Sequence, residues 1–298
     1  MTSIKELNLD YLIGQEVGTA TILKELARGG SAIVFVAFQR TLKRQIAVKI
    51  LPKVLLTADT AERFQREAES AAILSHPNII QIYEVGATDD FLFFAMQLVH
   101  GKSLAEYLKA ARKHVLPSRR ILPVKTTIDI MRKVLDALDY AHHQDIIHRD
   151  IKPGNVLFET HSKRPIVLDF GIAKTLRGPD EDSSVIQGTP VYMAPEQILN
   201  EVIDGRTDVY AAGLMLFEML VSKLPMPPWD SARSLLQMKL DKKDQLFLRK
   251  PSELNKAIHP DLDEIVLKAV SFYPDTRFPD CREFLERLEE YNAEHLRN

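Results

Sequence analysis

The chain has 298 residues, with 39 basic and 41 acidic side chains, so its formal charge of -2 provides no global basic field for nucleic acid. Hydrophobic residues make up 45% and charged residues 27%, the balance of a soluble globular protein large enough for one big domain or two lobes with separate cores. A single cysteine, Cys281, excludes an internal disulfide framework and a cysteine-built zinc site, fits a reducing compartment, and reads as inert packing rather than a nucleophile.

In chain order, residues 1–19 are a weakly patterned lead-in without the apolar core of a signal peptide. Strands are expected over 20–26, 33–38 and 45–51, where β-branched and aromatic residues are dense, with Gly29 and Gly30 turning the chain between the first two. Asp59 followed by Glu62 resembles a capping box, and Phe64, Ala68, Ala71 and Ala72 then recur at helical spacing. Two more strands are expected near 81–85 and 91–96. The second is also the densest apolar run, far short of the roughly 20 residues that span a bilayer. The chain therefore reads as cytoplasmic, or as the cytosolic domain of a longer membrane protein.

Beyond Leu104 helices dominate. A basic segment over 110–124 with Pro117 and Pro123 reads as a loop. Met131, Val134, Leu135 and Leu138 form an apolar stripe, and residues 209–220 are apolar nearly all round, the pattern of a helix buried on every side. Further helices are expected near 262–270 and 282–292. There is no internal repeat or low-complexity tract. The fold class is α+β, with a small antiparallel β-sheet lobe carrying one main helix over 20–98 and a larger, mostly α-helical lobe over 99–298. The hinge is expected near residues 97–101.

Several positions carry chemistry. Period-two alternation sets Lys49 on a face with Ala47 and Leu51, where a charge needs a partner; a solvent lysine on an edge strand is the alternative. Glu67 falls within the helical arc of Phe64, Ala68 and Ala71 and is the natural partner, unless it is a solvated carboxylate at the edge of that stripe. The run His148-Arg-Asp-Ile-Lys-Pro-Gly-Asn155 places an acid, a base and an amide within eight residues, and Pro153-Gly154 prevents a regular helix. A β-branched strand then ends in Asp169-Phe-Gly171. Asn155 and Asp169 supply the hard oxygen ligands that Mg²⁺ takes.

These motifs resemble the eukaryotic-like (Hanks-type) serine/threonine protein kinases, most closely their bacterial members. The likeness covers about residues 20–288 and includes Ala47-Val-Lys49, His76-Pro-Asn78, His148-Arg-Asp150, Asp169-Phe-Gly171, Gly188-Thr189, Ala194-Pro-Glu196, Asp208-Val-Tyr210 and Asp275-Thr-Arg277. The resemblance implies a two-lobed protein kinase fold and transfer of the γ-phosphoryl of ATP, with Mg²⁺, to Ser/Thr hydroxyls of proteins. It assigns Asp150 to orient the substrate hydroxyl and accept its proton, and Lys152 to stabilise the transferring phosphoryl. Lys49 would hold the α- and β-phosphates and pair with Glu67, and Asn155 and Asp169 would bind Mg²⁺. Leu26, Ala27, Gly29 and Gly30 would cover the phosphates. Met96 would guard the back of the nucleotide pocket, Gln97 and Val99 would offer backbone groups to adenine, and Val34, Ala47 and Leu157 would pack on the ring. His148, Asp208 and the Glu196–Arg277 pair would keep the fold.

The resemblance has departures. Ala27 and Ala32 stand where the family's glycine-rich loop has its first and third glycines, and alanine disfavours positive φ. This leaves open a pseudokinase that senses ATP or acts as a scaffold. Lys152 and Thr189 favour serine/threonine over tyrosine as acceptor. Arg149 is the expected partner of an activation-segment phosphate, for which Ser183 and Ser184 are the autophosphorylation candidates; a plain acidic loop is the alternative. Nothing in the sequence reads as an oligomer interface.

Overall fold

The structure is a computed structural model that describes Ile4 and residues 7–29, 32–116, 119–170 and 190–296; the side chains of residues 58–60, 63–64 and 66–67 lie outside that description. The chain forms two compact units, one running to His100 and the other beginning at Gly101.

In the first unit the described strands are β1 Glu16–Val17, β2 Ala20–Arg28, β3 Ile33–Gln39, β4 Arg44–Pro52, β5 Ile82–Ala87 and β6 Phe91–Gln97. They pair antiparallel in the order β1-β2-β3-β4-β6-β5. The apolar alternation read from the sequence buries Ile22, Ile33, Phe35, Ile46, Val48 and Ile50 on one face of this sheet. Helix α1, Ala58–Ala72, follows β4, and its Ala68 and Ala71 are buried.

The lead-in is more than a tail. Ile4, Leu9, Leu12 and Val17 join the same core, and β1 lengthens the sheet. Arg28 ties the segment down by donating from Nη1 to the carbonyls of Ile4 (2.9 Å) and Leu7 (2.7 Å) while pairing with Glu25. Four apolar residues at irregular spacing carry no period, so the sequence alone does not show this burial.

The second unit opens with β7 Gly101–Ser103, which pairs with β8 Val156–Glu159 and, through it, β9 Pro165–Val167. Gly101 is required there, because a Cβ would lie 1.8 Å from the Phe158 carbonyl oxygen. Helix α2, Leu104–Arg112, starts on a capping box in which Ser103 Oγ accepts from the Glu106 amide (3.2 Å) and Glu106 accepts from the Ser103 amide (2.8 Å). The helix occupies residues 110–112 of the segment expected to be a loop, and α3, Val124–His142, begins where that loop was expected to end. The stripe Met131, Val134, Leu135 and Leu138 is fully buried.

Next come α4 Pro195–Leu199, α5 Gly205–Val221, α6 Ala232–Lys242, α7 Pro251–Leu254, α8 Asp261–Ala269 and α9 Cys281–His295. Helix α5 is buried nearly all round, as its composition requires, with α3, α8 and α9 packed against it. At Gly213 the approach is so close that a Cβ would fall 2.7 Å from the Ala269 Cβ. Cys281 is fully buried, and desolvation pushes its thiol well above its ordinary pKa, so it remains a protonated core residue.

Candidate active site

Between α3 and β8 the chain makes a loop with a strained backbone. Arg149 sits at φ +65°, a left-handed conformation that costs a non-glycine residue about 1–3 kcal/mol. The carboxylate of Asp208, on the first turn of α5, holds it there. Oδ2 accepts from the His148 amide and Oδ1 from the Arg149 amide, both at 2.8 Å. His142 Nε2 donates to Oδ2, also at 2.8 Å. Asp208 is fully buried. Burial alone would raise its pKa, but these hydrogen bonds and the nearby histidines hold it below the ordinary carboxylate range. From the other side Gln197 Nε2 donates to the Arg149 carbonyl at 3.0 Å.

His148 is fully buried and both its ring nitrogens are committed. Nε2 faces the Leu168 carbonyl at 2.7 Å, and Nδ1 accepts from the Asp150 amide at 3.2 Å. A carbonyl cannot donate and an amide N–H cannot accept, so the ring is the Nε2–H tautomer. It also packs at a tilt against Phe170, with centroids 4.7 Å and planes 54° apart. The histidine thus ties the loop to the strand end that carries Asp169.

Asp150 follows directly. Lys152 Nζ lies 2.5 Å from its Oδ2, and Asn155 Nδ2 donates to its carbonyl (2.8 Å) and to Oδ2 (3.1 Å). Lys152 is extended, after which Pro153–Asn155 forms a single 3₁₀ turn, so the proline prevents helix and turns Lys152 back toward Asp150. The Leu168 amide donates to the Asn155 carbonyl at 2.9 Å, and the β8–β9 register therefore brings Asn155 opposite the residue before Asp169. Asp169 itself is left-handed at φ +58°. Sequence spacing and fold thus bring Asp150, Lys152 and Asn155 together, and set Asp169 directly after the residue that pairs with Asn155.

In the first unit Lys49 lies on β4, paired on one side with Val34 of β3 and on the other with Phe94 of β6. It is therefore on an interior strand, which removes the edge-strand alternative. Its side chain is partly buried, with Nζ 5.3 Å from the centre of the Phe94 ring. Ala47 is buried, while Val34, Met96, Gln97 and Val99 are half-buried. The Gln97 amide donates to the Gln81 carbonyl at 2.8 Å, so any group it offers to a base is its carbonyl. Leu26 and Ala27 are exposed residues just before the end of β2, and the Gly29 amide closes on the Ala32 carbonyl at 2.9 Å. Ala27 is an extended strand residue opposite Val34, so alanine pays no positive-φ penalty there, contrary to expectation. Leu157 is a half-buried residue of β8 in the second unit. Glu67 lies on α1, but its side chain lies outside the described residues, as do Gly30, Thr189, Ser183 and Ser184 altogether.

A protein kinase domain profile matches residues 20–292. The chain belongs to the protein kinase family. It is 31% identical over 294 residues to the serine/threonine-protein kinase Pkn1 of Myxococcus xanthus, covering 97% of this chain and 40% of that protein. It is 33% identical over 303 residues to the tyrosine-protein kinase MasK of the same species, covering 95% of this chain and 44% of that one. The kinase domain of Mycobacterium tuberculosis PknI superposes with a TM-score of 0.73 at 27% identity, covering 93% of this chain and 98% of that one. The chain thus spans about two fifths of the length of the curated relatives it matches.

Two buried cations of this kinase domain fix the segment around Ala194-Pro-Glu196. Arg277 reaches Glu196 through Nη1 (2.8 Å) and Nη2 (2.9 Å), and its other donors go to the carbonyls of Ser271, Arg206 and Phe272. All five N–H groups have an acceptor. Burial would raise the Glu196 carboxyl, but the arginine outweighs it and holds the group below its ordinary range. Lys239 of α6 is the second, 1% exposed, with Nζ donating to the carbonyls of Val191 (2.6 Å) and Met193. It therefore fixes the backbone of the 3₁₀ turn Pro190–Tyr192 that leads into Ala194-Pro-Glu196. Tyr192 donates to Glu218, which also pairs with Arg112. Sequence reading missed Lys239, Gln197 and His142. Only the position of Gln197 directly after Ala194-Pro-Glu196 gave any sign.

Proposed function

We propose that this kinase domain transfers the γ-phosphoryl group of ATP to Ser/Thr hydroxyls of protein substrates, itself included. The observation that carries the reading is the Asp150 carboxylate, held between Lys152 and Asn155 at the end of a loop whose strained backbone is fixed by Asp208. Asp150 orients the attacking hydroxyl and takes its proton, while Lys152, 2.5 Å away, screens the charge that builds on the transferring group. Lys49 holds the α- and β-phosphates with Glu67 as its partner. Leu26, Ala27, Gly29 and Gly30 cover the phosphates. Val34, Ala47, Met96, Gln97, Val99 and Leu157 receive the adenine.

The residues fit a hard cation. Asn155 turns its amide N–H groups onto Asp150, which leaves its carbonyl oxygen for another ligand, and Asp169 supplies a carboxylate next to the residue that pairs with it. Bound there, Mg²⁺ would neutralise phosphate charge.

Lys152 and Thr189 favour Ser/Thr as acceptor, although one relative is named a tyrosine kinase. Retention of Lys49, Asp150, Asn155 and Asp169 together weighs against a pseudokinase, since a scaffold needs no general base. The lobes divide as 20–98 and 99–298, and Ser183 or Ser184 receives the autophosphate. No helix among the described residues is long and apolar enough to cross a membrane. The use of ATP supports a cytoplasmic location, or the cytosolic domain of a longer membrane protein.

The test is transfer from radiolabelled ATP to a generic protein substrate and to the chain itself, with Asp150→Asn as control. Loss of a general base predicts a fall of about 10²- to 10⁴-fold. Phosphoamino acid analysis should return phosphoserine and phosphothreonine. Equal incorporation by both forms removes Asp150 from its role, and phosphotyrosine alone overturns the acceptor assignment.

A further inference from the structure

Near its end β2 departs from regular strand geometry. In the β2–β3 ladder Glu25 pairs with Phe35, Ala27 with Val34 and Arg28 with Ile33, which leaves Leu26 as the extra residue of a bulge. Residues directly opposite in an antiparallel pair project on the same face of the sheet. Glu25 and Arg28 therefore both lie on the face of Phe35 and Ile33, where the core is. In an unbroken strand residues 25 and 28 would point to opposite faces, because their separation is odd. Ala27 lies on the other face, with Val34 and, through the β3–β4 register, Lys49.

The bulge lets Arg28 reach Glu25. Nε and Nη2 donate to Glu25 Oε1 and Oε2, at 3.1 and 2.6 Å, and so bracket Leu26. Nη1 donates to the carbonyls of Ile4 (2.9 Å) and Leu7 (2.7 Å). One planar guanidinium thus joins two points of β2 to the lead-in. The lead-in is itself anchored, since Ile4, Leu9 and Leu12 share the core with Ile33 and Phe35. Gly29 comes next in the chain, its amide closed on the Ala32 carbonyl, so the fork holds the last strand residue before that turn. Without the fork the strand could slip by one residue into an unbulged register, which would carry Ala27 to the core face.

We propose that Arg28, with Glu25 and the carbonyls of Ile4 and Leu7, is a positioning device for the nucleotide. From the core side of the sheet it locks the bulge that keeps Ala27 on the Lys49 face and sets where Leu26 and Gly29 stand above the phosphates. Arg28 lies on the opposite face from Lys49 and acts only through the strand. The lead-in is thereby part of the nucleotide site, although none of its side chains is on the nucleotide face. This inference rests on the nucleotide reading given under the proposed function.

The test combines calorimetric titration of MgADP with steady-state kinetics in ATP, for the whole chain and for Arg28→Met and Arg28→Lys. Thermal melting first shows that each variant is folded. Arg28→Met should weaken MgADP binding and raise the ATP KM about tenfold, the loss falling in KM rather than in kcat because a binding surface has moved and the reacting groups have not. Arg28→Lys keeps the charge without the fork and should fall between. Removing residues 1–8 takes away both carbonyls but keeps Leu9 and Leu12. In the Arg28→Met background that deletion should add less than about twofold, because both changes break one link. Binding by Arg28→Met within about twofold of wild type, a loss confined to kcat, or effects that multiply independently would overturn the proposal. A wild type that binds no MgADP and turns over no ATP would overturn the nucleotide reading itself.

Discussion

Replacing Arg277 by methionine tests whether the buried Arg277–Glu196 pair is as important as its geometry indicates. The side chains of Arg277 and Glu196 are 0% and 2% exposed, so neither can recover water if the other is lost. The substitution keeps much of the volume but removes five hydrogen bonds, leaving Glu196 with Thr207 Oγ1 at 2.7 Å as its remaining side-chain donor. Breaking a buried pair from one side costs about 3–5 kcal/mol, a large part of the roughly 5–15 kcal/mol that holds a domain folded. The pH dependence is more specific. In the wild type Glu196 is held below its ordinary pKa, so its contribution is complete above the unfolded value of about 4.3 and disappears as pH falls through the lower folded value. In Arg277→Met burial is opposed only by the Thr207 and backbone hydrogen bonds, and the folded pKa moves up. The penalty is then present at neutral pH and is relieved as pH falls toward about 4.3. Urea unfolding at pH 7 and near pH 4.5 should show the gap between variant and wild type narrowing with acid. The double variant Glu196→Gln/Arg277→Met should recover part of the loss. A cost below about 1 kcal/mol, or a gap that does not change with pH, would refute the reasoning.

Lys239→Met should leave the ATP KM unchanged and raise the KM for a peptide substrate about tenfold, because Lys239 fixes the backbone at Val191 and Met193. Steady-state kinetics with each substrate varied decides this, and equal changes in both constants would count against it. Asp208→Asn places an amide N–H where two backbone amides and His142 need an acceptor. Its kcat should fall about 10²-fold or more at a temperature where circular dichroism shows the variant folded, and a kcat within threefold of wild type would free the loop from that carboxylate.

How much was legible in the sequence depended on how local the information was. Asp150, Lys152 and Asn155 are neighbours in the chain, and Pro153-Gly154 between them restricts the backbone, so their meeting could be read directly. The long strands and the buried helix α5 were legible because alternation, or its absence, is itself the signal of how many faces are buried. The short strands β7 and β8 and helices α2, α4, α6 and α7 were not, since three to eleven residues carry little periodicity. Lys239 stands between Met238 and Leu240 in α6, and a lone lysine there reads as a solvated side chain. Only the carbonyls of residues 191 and 193, remote in sequence, reveal that it is buried. His142 and Gln197 were hidden for the same reason, being 66 and 48 positions from the groups they hold.

The Asp208 carboxylate also has a bearing on synthesis. A nascent chain exposed as far as residue 170 already contains the full catalytic wording, yet nothing in it can accept the two amides that keep Arg149 left-handed. That acceptor arrives only with the first turn of α5. A fragment stopping short of residue 208 would therefore keep Asp150, Lys152 and Asn155 but lack the acceptor that fixes the backbone between His148 and Asp150, so the growing polypeptide is expected to gain its working loop geometry only once the first turn of α5 has docked.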